Sequence, residues 1–308
     1  MAGQGHGSKA VVAALLANLG IAVSKLVGFV ITGSASMLAE AIHSLADSGN
    51  QGLLLLGGRR AARAADRSHP FGYGRERYFW SFVVALVLFS AGGAFATFEG
   101  IEKIRHPHEL ESAAIAIGIL LVAIVLESLS FRTAVHEANH VRGDAAWWSF
   151  IRRSRNPELP VVLLEDLGAL IGLVLALTGV GLALVTDDAR WDGMGTLSIG
   201  ILLTIIAIVL AVEMKSLLIG ETAEAGVEAS ITSTIGADEA VESLIHLRTQ
   251  HLGPEELLVG AKVSFSSSLT VPDLAAAIDR VEVAIRAAVP SARIIYIEPD
   301  VVRVDTSP

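Results

Sequence analysis

Four polar residues interrupt an otherwise apolar stretch: Glu40, His43, Asp47 and Asn50 of SMLAEAIHSLADSGNQ stand three, four and three positions apart. On a helix that spacing makes one continuous stripe. His43 and Asp47, one turn apart, then offer a neutral imidazole nitrogen and a carboxylate oxygen to a single ion. Ionisable groups at membrane depth are costly and mark substrate paths; the competing reading is a polar helix–helix contact. A second pair, Glu165 and Asp166, sits in VVLLEDLGALIG. Asn156-Pro157-Glu158 is a helix start, with a capping residue, a proline and an acid in the first turn. Counted from there, the two carboxylates lie roughly 15 Å into a span. Neighbouring helical residues point about 100° apart, so the two acids do not serve one ion equally. Glu127 in IVLESLSF is a third acid deep enough to need a partner. His136, Glu137 and His140, further along, read as a solvated helix end.

The elements that must position these groups follow from composition. Of 308 residues, 52% are hydrophobic and 18% charged, and the mean hydropathy is +0.58. That balance fits a multi-span membrane protein and not a soluble enzyme. There is no cysteine, so any transition-metal ligand is His, Asp or Glu. The net charge of −9 argues against nucleic-acid binding. Six segments approach the roughly 20 apolar residues that a span requires: 10–32, 36–58, 78–99, 112–133, 157–185 and 195–219. Asn18 and Lys25 in the first are expected to pack inward or to snorkel. Gly168 and Gly172 let a neighbour approach the fifth closely, with the second span as the candidate neighbour. Arg59, Arg60, Arg63, Arg67, Arg75 and Arg77 fill one loop and Arg142, Arg152, Arg153 and Arg155 another. The opposite loops hold Lys103, Arg105 and Arg190, an asymmetry that predicts cytosolic termini. The opening MAGQGHGSKA has no cleavage pattern and no Arg/Ser-rich leader, which suggests a retained first span and a plasma (inner) membrane.

After Gly220 the composition becomes that of a soluble domain, dividing the chain into 1–220 and 221–308. A helix is predicted at 222–236, strands at 240–250 and 256–266 around Gly253-Pro254, a helix at 272–288 and a strand at 292–303. The fold class is thus an all-α six-helix transmembrane domain followed by a small cytosolic α+β domain of ferredoxin-like order αββαβ. An intramembrane metalloprotease would need a motif such as His-Glu-x-x-His; His136-Glu137-Ala138-Asn139-His140 has that spacing, but it falls at the end of its span and reads as a solvated helix end.

Six spans, His43-x-x-x-Asp47, the loop His69-Pro70-Phe71-Gly72-Tyr73-Gly74 and an α+β tail together resemble the cation diffusion facilitator family over nearly the whole chain. Ser36–Gln51, Ser68–Tyr78 and Val162–Gly172 look most like the branch that includes the ninth zinc transporter of animals. The resemblance implies a homodimeric, non-enzymatic exporter of divalent metal, zinc above all, driven by inward proton movement, without an organic cofactor. It carries His43, Asp47 and Asp166 over as ligands of the transported ion. The family's other fifth-span ligand falls on Val162, so water, Glu165 or Glu127 must complete the site. With Glu165 the donor set is oxygen-rich and tolerates manganese or iron beside zinc. A loop site would use Asp66, His69 and the position of Tyr73. Ile245, Lys262 and Tyr296 replace the histidines of metal-sensing relatives, while Glu298 keeps an acid. Lys262 then implies an ion pair where relatives place metal, and a tail that dimerises without sensing. A geometric pair between Arg75 and Glu221 at the hinge completes the likeness. The runner-up is a membrane scaffold that dimerises without transporting.

Overall fold

The computed structural model describes residues 4–32, 35–107 and 113–302; within these, the side chains of residues 4–10, 14, 25, 28–29, 31–32, 35–43, 46–47 and 113 lie outside the description. Two N-terminal helices, α1 (Gln4–Thr32) and α2 (Ala35–Ala61), cover the first and second expected spans. Helices α3 (Glu76–Val87) and α4 (Phe95–Arg105) are joined through a π-helical segment, Leu88–Ala94. Then come α5 (Ala113–Arg142), the short α6 (Trp147–Arg153), α7 (Glu158–Thr186) and α8 (Arg190–Ile219). Among the described residues four helices are long and apolar enough to cross a membrane: Glu76–Arg105, Ala114–Arg142, Glu158–Thr186 and Arg190–Ile219. Their outward faces carry Phe95, Phe98, Val125, Leu129, Val174, Ile205 and Val212, all exposed, as lipid-facing residues are. The molecule is an integral membrane protein.

The helix expected to be capped by Asn156 starts one residue later, at Glu158 with Pro157 at the cap position, and the Asn156 Oδ1 accepts the Glu158 amide at 3.2 Å. Helix α7 ends at Asp187, whose left-handed φ of 53° turns the chain into α8. The neighbour across Gly168 and Gly172 is not the second span. It is α8, which presents Ile206 and Ile199 there; helices joined by a short turn pack before remote ones do. On its other side α8 lies against the Glu76–Arg105 helix in one antiparallel register. Gly93 faces Thr204, Thr97 faces Gly200, Gly100 faces Leu197 and Ile104 faces Gly193. A glycine occurs on one side or the other at each level, so the two backbones approach closely. The π segment adds to this contact: its wide turn brings both Gly92 and Gly93 onto α8, against Leu203 and Thr204. The bundle core gathers Leu54, Val84, Leu88, Leu159, Val161, Val162 and Leu210.

The tail consists of α9 (Ala225–Gly236), β1 (Val241–Gly253), β2 (Glu256–Phe265), α10 (Val271–Ala288) and β3 (Ala292–Pro299). The order αββαβ is as expected; the last strand stops short because Pro299 follows a run that pairs only through it. Strands run β1-β2-β3, β1 antiparallel and β3 parallel to the central β2. The β2–β3 connection is the crossover helix α10, as parallel neighbours require. Leu257, Val259, Ala261 and Val263 alternate inward from β2 onto Ile231, Ile235, Val281 and Ile285.

The chain packs as two compact units, Met1–Ala62 with Glu76–Lys215, and Arg63–Arg75 with Ser216–Pro308. Sequence composition suggests a single cut at 220. The packing instead puts the 63–75 loop with the tail, because Gly74 lies against the β1–β2 turn. A Cβ there would come within 2.7 Å of the Leu252 carbonyl and 3.0 Å of Gly253 Cα.

Candidate metal centre

Four helices bring polar groups together inside the bundle. From α7, Asp166 is 1% exposed and accepts a hydrogen bond from Ser130 Oγ of α5 at 2.7 Å. The adjacent Glu165, also buried, faces α2 instead. Its Oε1 accepts from Asn50 Nδ2 at 2.9 Å and its Oε2 from Gln51 Nε2 at 3.0 Å. Gln51 Oε1 in turn accepts from Asn18 Nδ2 of α1 at 3.2 Å. The divergence of two neighbouring carboxylates toward different helices is what the helical turn of about 100° per residue dictates. Ser44 and Ser48 of α2 and Glu127 of α5 are buried as well.

Glu40, His43 and Asp47 lie outside the described side chains, so the pairing expected of the α2 stripe extends in the structure only to Asn50. Val162 is fully buried in the apolar cluster with Leu159 and Leu163 and brings no donor. Among the described residues no group of three or more His, Asp or Glu is arranged to hold a metal. Glu137 is buried, against the expectation of a fully solvated helix end; His136 and His140 beside it are exposed. Asn18, a polar residue in an apolar span, does pack inward. Gln51 and Ser130 of the polar cluster carry weaker sequence signals, each being a neutral group close to a charged one.

Chemically, Asp166 is short of positive charge. An ionised carboxylate has about four acceptor sites, and one hydroxyl donor in an apolar bundle does not replace its hydration. Cation or proton is what such a group attracts. Glu165 is better provided for, with an amide on each oxygen.

In the second unit the loop residues Asp66 and His69 do come together. Asp66 Oδ1 accepts from the Ser68 hydroxyl at 2.6 Å and from the Ser68 and His69 amides at 2.8 Å, while Oδ2 accepts from Tyr73 OH at 2.7 Å. The Ser68 hydroxyl, then Tyr73 and the His69 amide, hold this carboxyl well below the usual range. A depressed carboxyl stabilises the fold fully above its unfolded value of 3.8, and that contribution is lost as pH falls through the folded value. Tyr73→Phe removes one donor and should raise the Asp66 pKa toward the ordinary range. Carboxyl NMR on labelled protein measures it, and an unchanged titration would show that Tyr73 is not a partner in solution.

Arg75 and Glu221 fall in this same unit. The Arg75 Nε is buried without a hydrogen-bond partner among the described residues, and the Glu221 backbone carbonyl accepts from the His251 amide at 2.8 Å. Lys262 makes the ion pair expected of it: Nζ lies 3.0 Å from both Glu298 Oε1 and Asp300 Oδ2. Hydrogen bonds that Lys262 donates to Glu298 and then to Asp300 raise its pKa above the ordinary value. Ile245 and Tyr296 are exposed.

Residues 11–219 match the cation efflux transmembrane domain. The mitochondrial proton-coupled zinc antiporter SLC30A9 of Xenopus laevis is 33% identical over 244 residues, 78% of this chain and 44% of that protein. Metal tolerance protein C4 of Arabidopsis thaliana is 28% identical over 273 residues, 86% of this chain and 59% of that protein. The magnetosome protein MamB of Magnetospira sp. is 24% identical over 301 residues, 94% of each chain. The chain thus spans less than half the length of the antiporter that it resembles.

Proposed function

This chain belongs to the cation efflux family, and on that premise we propose that it exports a divalent metal ion, zinc, in exchange for protons. The observation that carries the proposal is the buried Asp166 carboxylate, 1% exposed with one hydroxyl donor, inside a helix of the efflux domain. A relative whose name describes a proton-coupled zinc antiporter supports the choice of ion and of coupling.

In this reading the six apolar segments all cross the membrane, with termini and arginine-rich loops on the cytosolic side. Asp166 of α7 joins His43 and Asp47 of α2 around the ion. Two carboxylates neutralise the charge of a divalent cation while the imidazole stays neutral. Metal needs its ligands deprotonated, so ion and protons compete for one set of atoms. With the site open to the cytosol the ion displaces protons; open to the other side, protons displace the ion. Histidine suits that exchange, its ordinary pKa being about 6.5. Two copies of the chain assemble through their tails, and the Lys262 ion pair occupies the place of a metal sensor. An Arg75–Glu221 pair would set loop geometry; at a surface it contributes only about 0–1 kcal/mol.

Purified protein in sealed proteoliposomes tests the proposal. Zinc uptake should follow an imposed pH gradient, reverse with its sign, and fall to the leak rate when an ionophore collapses the gradient. Gradient-driven proton movement with no zinc flux, or zinc flux indifferent to the gradient, would reject antiport. No flux of any divalent ion would favour a scaffold.

A further inference from the structure

We infer that the side-chain carbonyl of Asn50 is a ligand of the transported ion, and that Glu165 holds that carbonyl in its liganding orientation. The inference rests on the proposed reading that α2 and α7 share the ion. Asn50 is 2% exposed. Its Nδ2 donates to Glu165 Oε1 at 2.9 Å, and its Oδ1 is buried with no hydrogen-bond partner among the described residues. The reversed amide would set a carbonyl against a carboxylate, so the chemistry of the pair fixes which end faces Glu165.

The surrounding network shows why the open atom matters. Gln51 uses both ends of its amide, donating to Glu165 Oε2 at 3.0 Å and accepting from Asn18 at 3.2 Å. Within this network the Asn50 Oδ1 is the amide acceptor left open among the described residues. Buried carbonyls are nearly always satisfied, and what satisfies this one has to be a donor or a cation. Nearby charge favours the cation: Glu165 is bonded to Asn50 itself, and Asp166, next along α7, has one hydroxyl donor. Asn50 lies three positions after Asp47, on the helical stripe that begins at Glu40. Carbonyl oxygen is a neutral, hard donor suited to divalent ions.

The assignment also resolves the donor count. Val162 is fully buried among apolar side chains, so α7 brings no imidazole one turn before Asp166. The Asn50 carbonyl supplies the fourth donor from α2, giving one nitrogen and three oxygens. Glu165, with both oxygens held by amides, is a positioning residue. Such a donor set discriminates less between zinc and manganese than one with a second imidazole.

The test uses full-length protein in nanodiscs, with zinc and manganese affinities measured by competition against a chelating dye at fixed pH. Asn50→Ala should weaken zinc binding about tenfold or more, whereas the exchange Asn50→Asp with Glu165→Gln, which keeps an oxygen for the ion and a hydrogen bond between the two positions, should stay within about threefold of native. Asn50→His should raise the zinc-to-manganese preference. Glu165→Gln should weaken zinc binding about tenfold, because a neutral amide no longer dictates how Asn50 is turned. Asn50→Ser, too short to reach the ion, stands in for Asn50→Ala should that variant fail to fold. Native-like zinc affinity in folded Asn50→Ala or Asn50→Ser would overturn the inference and leave a bound water as the partner of Oδ1. Equal losses in Asn50→Ala and in the Asn50→Asp, Glu165→Gln exchange would overturn it too, leaving the oxygen at position 50 without a role at the ion. Asp166→Ala separates the two levels. If it abolishes binding while Asn50→Ala does not, only this inference falls; if neither matters, the shared site falls with it.

Discussion

Asp166→Ala should reduce zinc flux in proteoliposomes to that of empty vesicles, a loss of about 100-fold or more, without unfolding the bundle. In the proposed site the carboxylate supplies one of two negative charges that let a divalent ion rest inside an apolar helix pack, and no neutral side chain replaces it. Asp166→Asn should fail as badly, since it keeps the shape and loses the charge. Stability should hold or rise, because removing a buried carboxylate with one neutral donor relieves desolvation rather than breaking an ion pair. Ser130→Ala, which takes away that donor at 2.7 Å, should lower flux about tenfold by loosening Asp166. Thermal melting beside the flux assay separates these effects. Wild-type flux in Asp166→Ala would remove α7 from the ion path.

The second large effect is structural. Gly200→Leu should destabilise the protein by about 3 kcal/mol or prevent its accumulation in the membrane, since overpacking a tight contact costs about 1–3 kcal/mol even where neighbours yield. Here they do not yield easily: a Cβ on Gly200 would overlap the backbone nitrogen of Thr97 and stand 2.8 Å from its Cα. Trimming Thr97 to glycine would therefore not rescue the variant. Gly181→Leu is the matched control, because nothing lies within 4 Å of a Cβ there. Similar melting temperatures for the two variants would mean that α8 and the Glu76–Arg105 helix are not in the register described.

How much of this was legible in the sequence depends on how local the cause is. The tail elements were, because β2 alternates at period two and Thr270-Val271-Pro272 starts a helix; Thr270 accepts the Asp273 amide as its cap. The divergence of Glu165 and Asp166 was also readable, since it follows from helical geometry alone. The partners were not. Nothing near Gly168 distinguishes α2 from α8 as the facing helix, and nothing near Glu165 points to residues 114 and 115 positions away. The π segment left only a Gly-Gly pair as a hint, because i to i+5 bonding there answers to packing against α8. Gln51 escaped notice for a related reason: a neutral amide beside His, Asp and Glu carries little weight until its partner is known.

The contact of Gly74 with the β1–β2 turn bears on how this protein can be dissected. A stop codon after residue 220 looks like a clean removal of the tail. It would leave behind residues 63–75, which belong to the tail's packing unit, with Gly74 stripped of the Leu252 and Gly253 backbone that it was shaped to meet. The orphaned loop is covalently continuous with the end of α2 and the start of α3. Loss of activity in a truncated chain would therefore report on two deletions at once, a missing domain and an unmoored linker. A chimera would separate them: transplanting 63–75 together with 216–308 keeps the exchanged unit whole, and the seams fall where few contacts are cut.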